Sequence, residues 1–197
     1  MTRAASAATT TVVELIGSRY AGSRTRQLAD AAVDELAAAG TVALRERHVL
    51  DLAELAGITF DSRAALGCAP IDDAAARLGT GDLLAVATPV YKAGYSGVLK
   101  AFLDPLPRRA LAGTVAVTIV TAADEEHSLA VAQALTTVLT EMGATLPAAP
   151  LTMLDPEAIA PYVTAWANRY GTTIRHALAS FGDRPTRAPQ RRRRTSA

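Results

Sequence analysis

The residues best suited to chemistry lie in short stretches, of which the first is GSRYAGSRT at residues 17–25. It combines two glycines and Arg24 with the hydroxyl groups of Ser18, Ser23 and Thr25. Guanidinium and hydroxyl groups bind phosphate oxygens, and a helix beginning here would add its unpaired N–H groups. Because the stretch matches neither Gly-x-Gly-x-x-Gly nor Gly-Lys-Ser/Thr, it predicts a site for a monophosphate, such as the phosphate of FMN. The alternative is an ordinary serine cap on a helix.

The second stretch is TPVYKAGYSGVLK at residues 88–100, which holds both lysines among the 20 Lys and Arg residues of the chain. Pro89 is expected to stiffen the turn after a strand. The ring of Tyr91 offers a flat face beside Lys92, and backbone N–H groups here could meet the polar edge of a flat ring. Gly94 is expected to let the chain turn. These residue types together indicate a ligand loop.

Alternating strands and helices must position these stretches. Continuous apolar or β-branched runs predict five strands: TTVVELIGS, TVALRERHVLDL, DLLAVATPV, TVAVTIVTA and ATLPAAPLTML. Helical spacing separates them, which indicates a buried parallel sheet covered by helices on both faces. The carboxyl ends of parallel strands meet at one edge, where ligands bind. We therefore expect loops 17–25, 88–96 and 121–127 to lie together.

The helix after the second stretch also has a recognisable beginning and an internal ion pair. Ser96 is expected to cap it, because a serine hydroxyl accepts a hydrogen bond from the backbone N–H groups of the first turn. Lys100 and Asp104 are four residues apart and are expected to pair on its surface.

Length and composition indicate one globular domain in a chain of 197 residues, half of them hydrophobic. We expect a leader at residues 1–10, the domain at 11–181 and a disordered basic tail at 182–197. The tail carries six arginines and one aspartate, and we interpret it as solvated rather than as a specific nucleic-acid or membrane site. The single Cys68 excludes a disulfide framework. With no run of 18 apolar residues and no metal-ligand cluster, we expect a cytoplasmic protein without a metal.

Residues 87–117, ATPVYKAGYSGVLKAFLDPLPRRALAGTVAV, resemble the core signature of the NAD(P)H-dependent FMN reductase family. They are most similar to the branch that supplies reduced flavin to two-component alkanesulfonate monooxygenases. The stretch GSRYAGSRT is similar to the phosphate loop of that family, Gly-Ser-Pro-Arg-x-x-Ser-Arg-Thr, with Arg19 and Tyr20 where proline and arginine are usual. The resemblance covers about residues 11–181.

The resemblance implies a flavodoxin-like three-layer α/β/α fold with a five-stranded parallel sheet, assembled as a homodimer or homotetramer. It implies hydride transfer from NAD(P)H, with NADPH favoured, to FMN, which leaves as FMNH2 for a flavin-dependent monooxygenase. No catalytic base is needed, and Tyr91 and Lys92 would position the transfer. The implied cofactor-binding residues are Ser18, Arg19, Ser23, Arg24, Thr25, Pro89, Val90, Tyr91, Lys92, Thr121 and Ala122.

Three alternatives remain open at this point. The chain could be a quinone or azo reductase that keeps FMN bound while a further substrate takes the electrons. It could be a flavin-binding protein without turnover. It could also bind nucleic acid or a membrane through its basic tail.

The third loop, TAADEEH at residues 121–127, departs from the pattern of the family. Thr121 and His127 match, whereas two alanines and Asp124 stand where Gly-Gly-Ser/Thr is usual. The acidic residues either favour the amino end of the following helix or alter the affinity for flavin.

Overall fold

A computed structural model of the chain describes residues 9–55, 69–154 and 158–181. Most of the expected leader, Cys68 and the expected basic tail at 182–197 lie outside the described residues. The last residue of the expected leader, Thr10, already belongs to the first strand. The described ranges therefore hold nearly all of the domain expected at 11–181.

The elements follow the predicted alternation of strands and helices. The strands are β1 (Thr10–Ile16), β2 (Leu44–Asp51), β3 (Leu83–Tyr91), β4 (Gly94–Tyr95), β5 (Val115–Ala122) and β6 (Leu151–Leu154). The helices are α1 (Arg24–Ala38), α2 (Leu52–Leu55), α3 (Ala69–Leu78), α4 (Gly97–Leu103), α5 (Glu125–Glu141) and α6 (Ile159–Phe181).

Five parallel strands form the sheet, as expected, and their order is β2-β1-β3-β5-β6. Leu15 of β1 pairs with Leu50 of β2 on one side and with Val86 of β3 on the other. The two-residue strand β4 was not predicted and runs antiparallel to β3. The order changes direction between β1 and β3, so the connections from these two neighbours leave toward opposite faces and a crevice opens between their carboxyl ends.

Apolar side chains fill both faces of the sheet and make the three layers. On one face, alternate strand residues such as Val12 and Ile16 pack against α1 and α6. On the other face, residues such as Val13 and Leu15 pack against α3, α4 and α5. The alternation follows from the two-residue period of a strand. The predicted three-layer α/β/α fold is confirmed.

Glu14 is a carboxylic acid within the otherwise apolar middle of β1, and its side chain is fully buried. It forms an ion pair with Arg47 of β2, which also reaches Asp30 and Asp34 of α1. Arg26 in the first turn of α1 pairs with Asp30 as well, and with Asp51 at the end of β2. A layer of charges therefore joins α1 to the strands beneath it.

The last helix, α6, passes close to the opposite edge of the sheet from the strand carboxyl ends. A Cβ atom on Gly171 would lie 2.6 Å from the hydroxyl oxygen of Thr41, which precedes β2. This close approach places the middle of α6 at the amino ends of the strands. None of the helices in the described ranges combines the length and the apolar character that a bilayer crossing needs.

Candidate functional site

The crevice begins where β1 ends at Gly17. The N–H of Gly17 donates to the carbonyl of Ala87 in β3 at 2.7 Å. A Cβ atom on Gly17 would lie 2.9 Å from Cβ of Leu99 in α4, closer than real Cβ atoms approach one another. Only glycine allows this chain path, which brings the first loop against both β3 and α4.

Within the first loop, Ser18 fixes the backbone of Tyr20. The buried hydroxyl of Ser18 donates to the Tyr20 carbonyl at 3.1 Å and accepts from the Tyr20 N–H at 3.1 Å. Gly22 takes a left-handed conformation with φ of +63°. The hydroxyl of Ser18, a predicted phosphate ligand, is therefore engaged within the loop itself.

The loop ends at the amino terminus of the 15-residue helix α1. Ser23 caps this helix, because its hydroxyl accepts from the N–H of Arg26 at 3.2 Å. The first turn contains no acidic residue, so the positive end of the helix dipole has no negative side chain of its own turn beside it. Arg24 follows the cap and is half-buried. The capping expected as the alternative is present, and the adjoining groups retain the chemistry of an anion site.

Thr25 and Thr121 connect the first loop to the third. Both residues are buried, and their hydroxyl oxygens lie 2.7 Å apart. The two positions were predicted separately, one for the phosphate and one near the flavin ring. The contact joins the start of α1 to the end of β5 across 96 positions of sequence.

The second loop is a tight hairpin with a left-handed tip. Val90 pairs with Tyr95 and Tyr91 pairs with Gly94, so Lys92 and Ala93 alone form the turn. Their φ angles are 50° and 58°, an arrangement that normally selects Gly or Asn. Gly94 was expected to let the chain turn, and that expectation is wrong, because the left-handed positions precede it.

A buried hydrogen bond holds the base of this hairpin. The hydroxyl of Thr88 accepts from the N–H of Ser96 at 3.0 Å, and the hydroxyl of Ser96 accepts from the N–H of Leu99 at 3.2 Å. The predicted cap on α4 is confirmed, as is the Lys100–Asp104 pair. The role of Thr88 was missed, and only its place at the end of a buried strand could have indicated it.

The predicted ligand residues of this loop differ in exposure. Pro89 and Val90 are half-buried, whereas the side chains of Tyr91 and Lys92 are exposed. Val90 packs with Val120 and Val131, which ties the hairpin to β5 and α5. Tyr91 is the exposed last residue of β3, whose other residues are buried or half-buried.

Tyr91 faces side chains of the first loop. Burial raises the pKa of its phenol, the nearby Tyr20 raises it further and the charge of Arg19 lowers it. The Arg19 guanidinium itself lies 5.3 Å from the centre of the Tyr20 ring. Side chains of the first loop therefore lie close enough to Tyr91 of the second loop to shift its pKa.

The third loop continues β5 before it turns into α5. Ala122 is buried and pairs with Leu154 of β6, so it extends the strand. Asp124 caps α5, with one oxygen accepting from the N–H of His127 at 2.9 Å and the other 2.7 Å from Nδ1 of that ring. The hydrogen bond to Asp124 raises the pKa of His127, and the same bond lowers that of Asp124. Asp124 therefore has the helix-terminal role that the charge pattern favoured.

The structure thus brings the predicted residues of all three loops to the carboxyl edge of β1, β3 and β5. Ser18, Ser23 and Thr25 make contacts within the protein, whereas Arg19, Tyr91 and Lys92 are exposed around the crevice. Tyr20 stands among them and was not predicted. In the described part of the chain, no three His, Cys, Asp or Glu residues are arranged to hold a metal ion.

Comparison with known proteins identifies a family whose model matches the chain and solved structures with a similar fold. The family model described as NADPH-dependent FMN reductase matches residues 10–157. An FMN reductase (NADPH) of Escherichia coli (strain K12) is 54% identical over 63 residues, which are 32% of this chain and 33% of that protein. The apo form of an NADH:FMN oxidoreductase, EMOB, superposes with a TM-score of 0.74 at 30% identity, covering 93% of this chain and 97% of that one.

A flavodoxin from Streptococcus pneumonia TIGR4 superposes with a TM-score of 0.56 at 18% identity, over 86% of this chain and 98% of that one. This likeness shows that the fold is flavodoxin-like. The match to the E. coli protein spans only about a third of its length.

Proposed function

This chain belongs to the NADPH-dependent FMN reductase family, and we propose that it reduces FMN at the expense of NAD(P)H. One observation carries the proposal. The first loop, with its hydroxyl, guanidinium and helix-terminal groups, lies at the point of the sheet where the strand order changes direction. That point is where flavodoxin-like folds bind ligands.

The residues of the first loop fit a phosphate monoester. The dipole of α1 favours an anion at its amino end, and the Arg24 guanidinium beside it can donate two parallel hydrogen bonds to phosphate oxygens. Ser18 fixes the loop backbone and Ser23 caps the helix, so both act chiefly by shaping the cradle. Thr25, bonded to Thr121, sets the distance between this cradle and the third loop.

The second and third loops would hold the flavin ring. Pro89 and Val90, near the end of β3, would contact one edge of the flavin ring, and the exposed ring of Tyr91 would lie beside it with Lys92. Thr121 and Ala122 would contact the opposite side of the flavin. FMN supplies the redox chemistry by accepting a hydride from the nicotinamide. The task of the protein would then be to hold the two rings together and exclude water between them, which requires no catalytic base.

We further propose that reduced FMN leaves for a flavin-dependent monooxygenase. The exposed position of Tyr91 and Lys92 at the crevice supports this, because a ligand held beside exposed side chains can exchange with the solvent. We also propose that the chain assembles as a homodimer or homotetramer, which sedimentation equilibrium would establish.

Steady-state oxidation of NADPH and NADH with added FMN tests the activity. We expect the rate to rise and saturate with free FMN, and an added FMNH2-dependent monooxygenase to turn over with the product. A quinone or azo reductase with retained FMN would instead need a third substrate for turnover and show no dependence on free FMN. A rate of zero with both nucleotides would leave a flavin-binding protein without turnover.

A further inference from the structure

Four side chains at the mouth of the crevice form what we term the rim cluster: Arg19, Tyr20, Tyr91 and Lys92. Arg19 and Tyr20 come from the first loop, and Tyr91 and Lys92 come from the tip of the hairpin. All four are exposed. The cluster thus combines two cations and two aromatic rings at the carboxyl edge of neighbouring strands.

The two cations of the rim cluster differ from the other basic residues near the crevice. Arg26 pairs with Asp30 and Asp51, and Lys100 pairs with Asp104. Among residues 9–55, 69–154 and 158–181, no carboxylate lies within 4.0 Å of Arg19 or Lys92. Their charge is therefore available to an anion from solution.

The structure also holds Arg19 in a defined place. Its guanidinium lies 5.3 Å from the centre of the Tyr20 ring, within the range of a cation–π contact. The backbone of Tyr20 is itself fixed by two hydrogen bonds to the buried Ser18. A guanidinium that is stacked on an anchored ring loses less freedom when it binds, so it is well suited to a phosphate group.

Positive and negative side chains lie on different sides of the mouth of the site. The cations lie on the loops after β1 and β3, whereas Asp124, Glu125 and Glu126 lie at the beginning of α5, which follows β5. A ligand with several phosphates is attracted to the first side and repelled by the second. FMN brings one phosphate, which the proposed function assigns to the α1 terminus and Arg24, so Arg19 is left for a phosphate of the other substrate.

We propose that Arg19, held against the ring of Tyr20, binds the 2′-phosphate of NADPH and makes this chain prefer NADPH over NADH. The inference rests on the proposed function and specifies the nucleotide that it uses. A terminal phosphate monoester matches the planar guanidinium, which can donate two hydrogen bonds to it. Lys92, on the neighbouring hairpin, supplies a second positive charge at the same edge of the sheet.

Binding of nucleotide fragments tests the inference without flavin or turnover. We expect adenosine 2′,5′-bisphosphate to bind at least about ten-fold more tightly than adenosine 5′-monophosphate in calorimetric titration. Arg19→Ala should abolish that difference, Tyr20→Leu should reduce it and Tyr20→Phe should retain it. Equal affinities for the two fragments in the wild-type protein would overturn the assignment.

Kinetics provide the second test. For Arg19→Ala we expect the ratio of kcat/KM for NADPH to that for NADH to fall at least about ten-fold. An equal loss with both nucleotides would place Arg19 on their shared pyrophosphate, and a loss confined to the KM of FMN would place it on the flavin phosphate. Either result rejects the proposal.

The matched control is Arg169→Ala. Arg169 also stacks on a tyrosine, at 5.5 Å from the Tyr170 ring centre, but it lies two residues from Gly171 at the opposite edge of the sheet. This variant should leave both nucleotide activities unchanged. If the wild-type protein oxidises neither nucleotide with FMN, the proposed function fails, while the fragment titration still decides whether Arg19 binds a 2′-phosphate.

Discussion

The hydroxyl oxygens of Thr25 and Thr121 lie 2.7 Å apart in the interior, and they join the beginning of α1 to the end of β5. Each hydroxyl is the buried partner of the other, so a change in one exposes the other to an apolar environment. The contact fixes how far the first loop stands from the third. The space for a flavin between those loops depends on that distance.

We expect Thr25→Val and Thr121→Val each to lower the free energy of unfolding by about 1–3 kcal/mol, because each leaves one buried hydroxyl unsatisfied. The double variant should lose less than the sum of the two, with a coupling of about 1 kcal/mol. Urea denaturation of the four proteins measures the cycle. Strictly additive losses would mean that the two hydroxyls do not interact in solution.

Arg24→Ala should weaken FMN binding about ten- to a hundred-fold, since a charge-assisted hydrogen bond contributes about 1.5–3 kcal/mol. Riboflavin, which lacks the phosphate, should lose little affinity and serves as the control ligand. Quenching of flavin fluorescence measures both. A similar loss for the two flavins would show that Arg24 does not contact the phosphate.

Ala93→Gly should raise the free energy of unfolding by about 0.5–1 kcal/mol. The left-handed conformation costs a residue with a Cβ about 1–2 kcal/mol, and glycine avoids this cost. Part of the resulting gain in stability is offset because glycine has more conformational freedom in the unfolded chain. The matched control is Ala130→Gly within α5, where the same change should lower the free energy by about 1 kcal/mol. A loss of stability at both positions would contradict the left-handed turn.

The stability of the protein should depend on the titration of Glu14. Burial raises the pKa of this carboxyl from 4.5 to about 7, although the hydrogen bond and charge of Arg47 act in the opposite direction. The folded state therefore holds a proton more tightly than the unfolded state. Its stabilising contribution is complete at low pH and is lost as the pH rises from about 4.5 to about 7.

Glu14→Gln removes this titration while it keeps the shape of the side chain. Between pH 5 and pH 8 we expect the wild-type free energy of unfolding to fall relative to that of the variant, by roughly 1 kcal/mol or more. Asp34→Asn, which changes an exposed partner of the same arginine, should keep the wild-type slope. Parallel curves for the wild type and Glu14→Gln would refute the shifted pKa.

Much of the fold follows from local patterns in the sequence. The apolar run DLLAVATPV predicted a central strand, and β3, which covers most of that run, pairs with strands on both sides. Ser96 caps α4 as predicted, and Asp124, one of the acidic residues expected to favour the amino end of α5, is the cap of that helix. Parallel strands place their carboxyl ends at one edge, so the three loops could be located before any side chain was placed.

The remainder depends on tertiary contacts that spacing does not encode. The left-handed tip at Lys92 and Ala93 follows from the pairing of Tyr91 with Gly94, whereas residue preference pointed to the glycine itself. Ser18 looked like a phosphate ligand, but its hydroxyl bonds the backbone of Tyr20. In both cases the backbone path of the loop decides which groups meet, and residue type alone does not reveal that path.

The charged side chains of β2 affect the tendency of the protein to aggregate in a concentrated solution. Among the described strands β2 is an outer one, with a row of backbone hydrogen-bonding groups that no other described strand pairs with, and such a row can recruit another molecule into an extended aggregate. Arg45, Glu46 and Arg47 follow one another along this strand. A second copy that added itself there would have to bury charges, and the opposite outer strand, β6, offers only four residues to pair with. Arg47, which pairs with Glu14 in the interior, thereby also helps to protect this edge of the sheet from the addition of another strand.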